Sequence, residues 1–219
     1  MLSPTEENYL KAIYKIIEKT SKPASTKSIS EYLQTSPASV TEMLKRLDEK
    51  SLILYQKYKG VRLKDVGIKR ATELIRKHRL WEVFLVEKLN FSWDEIHPIA
   101  EHLEHIQSEK LTNALDSYLG HPKFDPHGDP IPNEFGEFEH RDQVLLSEVP
   151  TNNQCILVGV REHSKSFLRQ LEALELVLGA KIEIEERFEF DQSMKVKVNH
   201  GNSHLLSNKL IGNLYVQVD

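Results

Sequence analysis

Four side chains with metal-ligand chemistry recur at helical spacing near the middle of the chain: His97, Glu101, Glu104 and His105. At about 100° per residue they fall near 0°, 40°, −20° and 80°, roughly one 100° sector of a helix. Ile96, Ala100, Leu103 and Ile106 take the neighbouring sector, so the donors would be half buried beside an apolar stripe. Two carboxylates and two imidazoles are costly there unless compensated, and a divalent cation would compensate them. His78 and Glu82, at i and i+4, add a donor pair on the preceding helix. Two antiparallel helices offering His-x3-Glu and His-x3-Glu-x2-Glu-His suit a two-site metal cluster in a helical core. The competing reading is a solvated Glu/His face with i,i+4 pairing, which wins for any one of these residues taken alone. Carboxylate and imidazole donors without a thiolate suit Mn(II) or Fe(II) over a Cys-selected zinc site. His102 lies off the sector and reads as surface, while His121, His127 and His140 sit in a proline-rich stretch and read as solvated.

The elements that must position these donors follow from caps and periodicity. Ser3-Pro4-Thr5-Glu6 is a capping box with proline at the first helical position, followed by Leu10, Ile13, Tyr14 and Ile17, which predicts a helix over about 4–18. Ser25 or Thr26 caps a short second helix bearing Ile29, Tyr32 and Leu33. Ser36-Pro37 opens a third, with Val40, Met43, Leu44 and Leu47 as its stripe. Two short helices across a tight turn read as a helix-turn-helix. Strands over 52–55 and 60–63 flank a basic tip, Gln56-Lys57-Tyr58-Lys59-Gly60, completing a winged-helix pattern. Asp65 caps a long helix over about 66–89. Ser92-Trp93-Asp94-Glu95 opens another, expected to run to about 119 and to close at Gly120. Four of the nine prolines (Pro122, Pro126, Pro130, Pro132) then mark an extended connector. Strands are expected over 144–149, 155–160, 181–186, 194–199 and 214–218, with one helix over 164–178, as in a small β-barrel. The expected fold class is mainly α with β, in four parts: a winged helix over 1–64, a helical metal-binding domain over 65–120, the connector over 121–142, and a small β-barrel domain over 143–219.

Composition narrows the function. The 219 residues carry a net charge of −4, which by itself argues against nucleic acid. The charge is unevenly spread: residues 1–76 hold 15 Lys+Arg against 9 Asp+Glu, a net of +6, and the rest hold 14 against 24, a net of −10. Such asymmetry indicates a basic binding module joined to an acidic remainder. One cysteine excludes an intrachain disulfide and a Cys-rich zinc module. Apolar runs fall short of the roughly 18 residues a membrane helix needs, and MLSPTEENYL lacks a signal-peptide pattern. A cytoplasmic protein with no membrane partner is expected.

In a winged helix the second helix of the pair enters the major groove and its N-terminal residues reach bases and phosphates. The candidate DNA contacts are Thr26, then Ser36, Pro37, Ala38, Ser39 and Thr41 at the start of the recognition helix, Lys45 and Arg46 further along it, and Lys57, Tyr58 and Lys59 in the wing. Small hydroxyls allow close approach, Pro37 suits a thymine methyl, and the basic residues suit the backbone. The competing reading is a solvated basic face on a three-helix domain that binds protein.

These residues resemble a known family. Glu7-Asn8-Tyr9-Leu10 with Ile13-Tyr14, Ser36-Pro37-Ala38-Ser39-Val40-Thr41, Lys77-His78-Arg79-Leu80, His97 through Glu104-His105, and Pro126-His127-Gly128-Asp129-Pro130-Ile131-Pro132 appear in the order found in metal-dependent repressors of the diphtheria toxin repressor class. The resemblance covers the whole chain and implies a three-domain form. It implies a primary site of Asn8, Glu101, Glu104 and His105. It implies an ancillary site of His78, Glu82 and His97, with His163 (or Glu162 or Ser166) added from the SH3-like domain. Glutamate at position 101, a cysteine in several iron regulators, favours Mn(II) over Fe(II). Asn8 is a neutral ligand where Met or Asp is usual, and Lys11 replaces an acidic residue of the two-domain manganese members. The implied function is a homodimeric repressor of metal-uptake genes, activated by divalent cation on a palindromic operator, with Glu104→Ala or His105→Ala removing the metal response and leaving the fold intact. The alternatives are a winged-helix regulator sensing an organic ligand and a di-metal helical enzyme.

Overall fold

The computed structural model describes residues 2–56 and 59–218, so the wing candidates Lys57 and Tyr58 lie outside the described residues. Two compact units are present, neither of them one continuous stretch. The first comprises Met1–His78, Glu101–Thr112 and Pro132–Phe138; the second comprises Arg79–Ala100, Asn113–Ile131 and Glu139–Asp219.

In the first unit, α1 (Pro4–Thr20) starts at the Ser3–Glu6 capping box. Helix α2 (Thr26–Leu33) is capped by Ser25, whose side chain accepts from the Ser28 amide, so Thr26 is its first residue. Helix α3 (Pro37–Glu49) is capped by Ser36. The hairpin of β1 (Ile53–Gln56) and β2 (Gly60–Leu63) pairs Ile53 with Leu63 and Gln56 with Gly60, and Ala24 bridges to Val61. Leu10, Ile13, Ile29, Val40, Leu44, Leu47, Ile53 and Val61 interlock as one core, which makes the three helices and the wing a single body. Residues 132–138 belong to this unit: Phe138 stacks on Tyr14 at 6.1 Å, and Asn133 Oδ1 accepts from the amides of Phe135 and Glu137 to close a tight turn.

Helix α4 (Asp65–Leu89) continues from the winged helix. The single helix expected from Ser92 to about 119 is two: α5 (Ile96–Leu103) and α6 (Glu109–Tyr118). Proline has no N–H, so Pro98 is tolerated only in a first turn, and α5 starts at Ile96 in place of the Ser92 cap. Ser108 then caps α6, accepting from the Leu111 amide. Residues 104–108 are therefore non-helical, and Glu104 and His105 stand on a turn.

In the second unit, Leu80, Val83, Leu115 and Ile131 form a small core beside Trp81 and Phe84. A six-stranded antiparallel sheet has the order β3-β8-β4-β5-β6-β7, from β3 (Val144–Leu145), β4 (Gln154–Val160), β5 (Lys181–Arg187), β6 (Met194–Val198), β7 (Ser203–Leu206) and β8 (Leu214–Val218). Helix α7 (Lys165–Ala173) and the one-turn α8 (Asn208–Ile211) pack with it. Three expectations change here. The first strand is two residues long and turns into a 3-10 helix at Leu146–Glu148, β7 is an additional strand, and α7 stops at Ala173.

Asp94 ties this unit together locally. Its buried carboxylate accepts from Ser92 Oγ at 2.7 Å and from Arg169 Nε at 2.8 Å. Those bonds, the Ser92 bond foremost, hold its carboxyl below the usual range against the opposing effect of burial. A depressed folded-state value means the stabilisation is full above the unfolded-state value and fades as pH falls through the folded one. Arg169 is largely exposed, so Asp94→Asn is expected to cost about 1.5 kcal/mol at neutral pH, the low end for a hydrogen bond to a charged group. Urea denaturation should show this loss at pH 7 and a smaller difference from wild type in acid.

Candidate metal centre and DNA-reading surface

The first cluster lies within the first unit. Glu104 is fully buried, and both its oxygens accept from the Lys11 ammonium, at 2.6 and 2.8 Å. Glu101 Oε1 accepts the third proton at 2.7 Å, so the three N–H donors of this lysine are all used. His78 Nδ1 lies 2.5 Å from Glu104 Oε2. On the next residue, His105 Nδ1 meets Glu7 Oε2 at 2.6 Å, and Gln107 Nε2 donates to Glu7 Oε1 at 2.6 Å. The turn at 104–108 makes this possible, since it frees Glu104 and His105 from the helical wheel and lets them face α1.

Of the expected primary set, Glu101, Glu104 and His105 share this cluster. His78, expected at the other site, joins them here. Asn8 stands elsewhere, lining a cavity of about 430 Å³ with Tyr9, Thr35, Ser39 and Glu42. Its Oδ1 is buried and accepts no hydrogen bond. Glu7 is the α1 carboxylate at the cluster. Spacing does not reveal its role, because a glutamate four residues before a lysine is also the pattern of an ordinary i,i+4 pair on a helix.

A second cluster lies within the second unit. One ligand atom from each of Glu82, Asp125 and His127 lies within 4.8 Å of the others, and all three residues are buried. His97 Nδ1 meets Glu82 Oε1 at 3.2 Å, as its expected pairing requires, although His97 is exposed. His127 overturns its solvated reading. Its Nε2 donates to the Trp93 carbonyl at 3.0 Å, leaving Nδ1 as the lone-pair nitrogen, 3.9 Å from Glu82 Oε2. Burial, with the neighbouring Asp129 and Glu82 carboxylates, pushes the Asp125 carboxyl well above its ordinary range, against the pull of Arg79. Burial also lowers His127, against the pull of Glu82. The connector is correspondingly not extended: Asp125 Oδ1 accepts from the amides of His127 and Asp129, and Phe124 bridges to Pro130. His163 is exposed and stacks on the His127 ring at 4.8 Å, with its Nε2 3.3 Å from the Val160 carbonyl oxygen. Glu162 Oε1 accepts from the Ser164 amide, and Ser166 Oγ lies 3.5 Å from Ser164 Oγ.

Both donor sets fit a divalent cation. Carboxylates and imidazoles converge in each, and these are the donor types that divalent cations such as Mn(II) and Fe(II) take. In the first set the Lys11 ammonium supplies one positive charge.

Most of the candidate DNA contacts lie on the surface of the winged helix. Pro37, Ala38, Ser39, Lys45, Arg46 and Lys59 are exposed, with Thr26 and Thr41 half-buried. Two hydroxyls serve the helix first: Ser36 Oγ accepts from the Ser39 amide and Thr41 Oγ1 donates to the Pro37 carbonyl. Arg46 and Lys50 also face the buried Glu6, at 3.5 and 2.7 Å. Among the described residues no helix is long and apolar enough to cross a membrane.

Residues 1–61 match the iron-dependent repressor N-terminal DNA-binding domain, residues 64–133 the iron-dependent repressor metal-binding and dimerisation domain, and residues 144–218 the FeoA domain. The chain is 33% identical over 196 residues to the iron-dependent repressor IdeR of Mycobacterium leprae, covering 84% of this chain and 85% of that one. A probable metal transport system membrane protein of Chlamydia trachomatis is 44% identical over 70 residues, 32% of this chain and 16% of its own length. A solved manganese-dependent transcriptional repressor in complex with manganese superposes with a TM-score of 0.85 at 29% identity, covering 98% of this chain and 100% of the other. The mixed α and β architecture, with an SH3-like sheet at its C-terminal end, is that of these repressors, and the chain belongs to the iron-dependent repressor family of metal-dependent, DNA-binding transcriptional regulators.

Proposed function

We propose that this protein is a cytoplasmic, homodimeric repressor that responds to Mn(II) in preference to Fe(II), binds a palindromic operator, controls metal-uptake genes and has no catalytic activity. The observation that carries the reading is the convergence of Glu7 from α1 with Glu101, Glu104 and His105, next to His78. Glu7 of α1, Glu101 near the end of α5, and Glu104 and His105 on the turn after it would hold a divalent ion, which would supply a double positive charge to all of them. Those donors then hold α1, and with it the α2–α3 pair packed on α1, in one orientation. The two-fold symmetry of a dimer favours a palindrome, and ion and operator binding strengthen each other reciprocally. Glu82, Asp125 and His127, with His97 beside them, would hold a second ion. Carboxylates and imidazoles without thiolate suit Mn(II) or Fe(II) over a Cys-selected zinc site, and glutamate at position 101, where several iron regulators of the family have cysteine, tilts the choice to manganese. The proposed functional parts are a winged helix over 1–64, a dimerisation and metal-binding part over 65–120, a connector over 121–142 and an SH3-like part over 143–219.

The test is operator binding in a fluorescence anisotropy assay with Mn(II), Fe(II), Zn(II) or chelator. Mn(II) is expected to tighten binding by a factor of ten or more, the scale of a typical allosteric coupling of 1–3 kcal/mol. Equal affinity in chelator and in all three metals would refute the reading.

A further inference from the structure

We propose that Lys11 is a tethered cation that occupies the Glu101–Glu104 carboxylate pair and sets the metal affinity of the first site; this rests on the metal-regulator reading above. Lys11 is 5% exposed, and its ammonium donates to Glu101 Oε1, Glu104 Oε1 and Glu104 Oε2 at 2.7, 2.6 and 2.8 Å. That geometry is a compact point charge at the focus of two carboxylates, which is what the pair would otherwise ask of an ion. Lysine is well suited to such a post, because its four-carbon stem can withdraw the charge without moving the helix that carries it.

Two consequences follow from charge alone. Counting the imidazoles as uncharged, Glu7, Glu101 and Glu104 contribute −3 and Lys11 contributes +1, so these four groups present −2 to an incoming ion, with the half-buried Lys77 facing Glu7 and Glu104 in wild type and variants alike. An ion bound by the Glu101 and Glu104 oxygens must also break the three ammonium contacts, since a dication and an ammonium a few ångströms apart repel strongly in a buried setting. Wild-type binding is therefore an exchange of cations. A neutral residue at position 11 converts it into simple filling of a site with charge −3. A second consequence concerns the lysine itself: metal should drive its amine out of the protein interior.

The experiment measures Mn(II) binding to the full-length protein by the electron paramagnetic resonance signal of the free ion, in wild type, Lys11→Met, Lys11→Gln and Lys11→Arg. The neutral variants are expected to bind at least tenfold more tightly than wild type, and the arginine variant to keep affinity near the wild-type value. Neutral variants that bind no more tightly than wild type overturn the role of Lys11 and leave the metal-regulator reading standing. If none of the four proteins binds Mn(II), both fall. Acylation of the wild-type protein by an amine-directed reagent, read by peptide mass spectrometry, gives an answer that needs no variant to fold. Lys11 modification is expected to rise at least fivefold when Mn(II) is added, and an unchanged rate overturns the proposal.

Discussion

Glu104→Ala is expected to abolish metal-dependent operator binding and, in the same stroke, to destabilise the protein by about 3 kcal/mol. The geometry adds this stability cost to the intact fold that the resemblance implies. Glu104 is wholly buried and takes two of the three ammonium protons of Lys11. Removing one partner of a buried pair leaves the other charge uncompensated, at a cost of about 3–5 kcal/mol. Because Glu101 keeps one contact to the ammonium, the lower end applies. Glu101 is about one-third exposed, so Glu101→Ala is expected to weaken metal binding at a stability cost of about 1 kcal/mol, the scale of a partly solvated pair. Urea denaturation of the metal-free proteins separates the two. Equal stability losses would mean that Lys11 does not depend on Glu104, and a retained Mn(II) response in Glu104→Ala would remove this residue from the site.

Gly128→Ala is expected to be the most damaging small change in the second unit. Gly128 has φ +87, and a Cβ there would lie 2.2 Å from the Val158 carbonyl oxygen and 2.4 Å from the Gly159 Cα. Both obstacles are backbone of β4, and neither can rotate aside. Arg141 Nη2 clamps the same contact by donating to the Gly128 and Val158 carbonyls at 2.9 and 2.6 Å, while Val160 N donates to the His127 carbonyl at 2.9 Å. The alanine must lift the loop from the strand and carry Asp125 and His127 with it. A loss of about 4 kcal/mol or more is expected, at the level reserved for named steric failures. That corresponds to a fall of about 8–16 °C in Tm for a chain of this size. Gly120→Ala is the control. Its φ is +75, but a Cβ there meets nothing within 4 Å, so only the backbone strain of about 1–2 kcal/mol remains. Comparable Tm shifts in the two variants would show that backbone conformation, and not the contact with β4, accounts for the loss at Gly128.

The sequence was readable wherever one physical signal acted alone. Ser3, Ser25 and Ser36 each sit before a helix with a free amide to cap, and α1, α2 and α3 begin there. His78, Glu82, His97, Glu101, Glu104 and His105 stood out because donors at helical spacing are expensive to bury without compensation. It was less readable where two signals competed. The apolar rhythm through Leu103 and Ile106 suggested one helix, but Pro98 and the Ser108 cap each impose a start of their own. Proline-rich composition suggested that His127 is solvated, whereas the Asp125 turn and Gly128 lay that segment against β4 and bury it. Glu7 and Lys11 could not be assigned from spacing, since an i,i+4 pair looks the same whether it faces water or a buried carboxylate on another segment. Strand β7 holds only four residues, too few for alternation to register.

The discontinuity of the first unit has a consequence during synthesis. Met1–His78 emerges first, but Glu101–Thr112 and Pro132–Phe138 belong to the same compact body. Sixty residues separate His78 from Phe138, or about 3–12 s of translation at roughly 5–20 residues per second. Glu104 follows His78 by 26 residues, about 1–5 s at the same rate, and until then Lys11 and His78 wait without the carboxylate that will bury them. The module can assemble its three helices on the ribosome, but it gains its sensor chemistry only after the chain has gone out through residues 79–100 and returned with Glu101–Thr112.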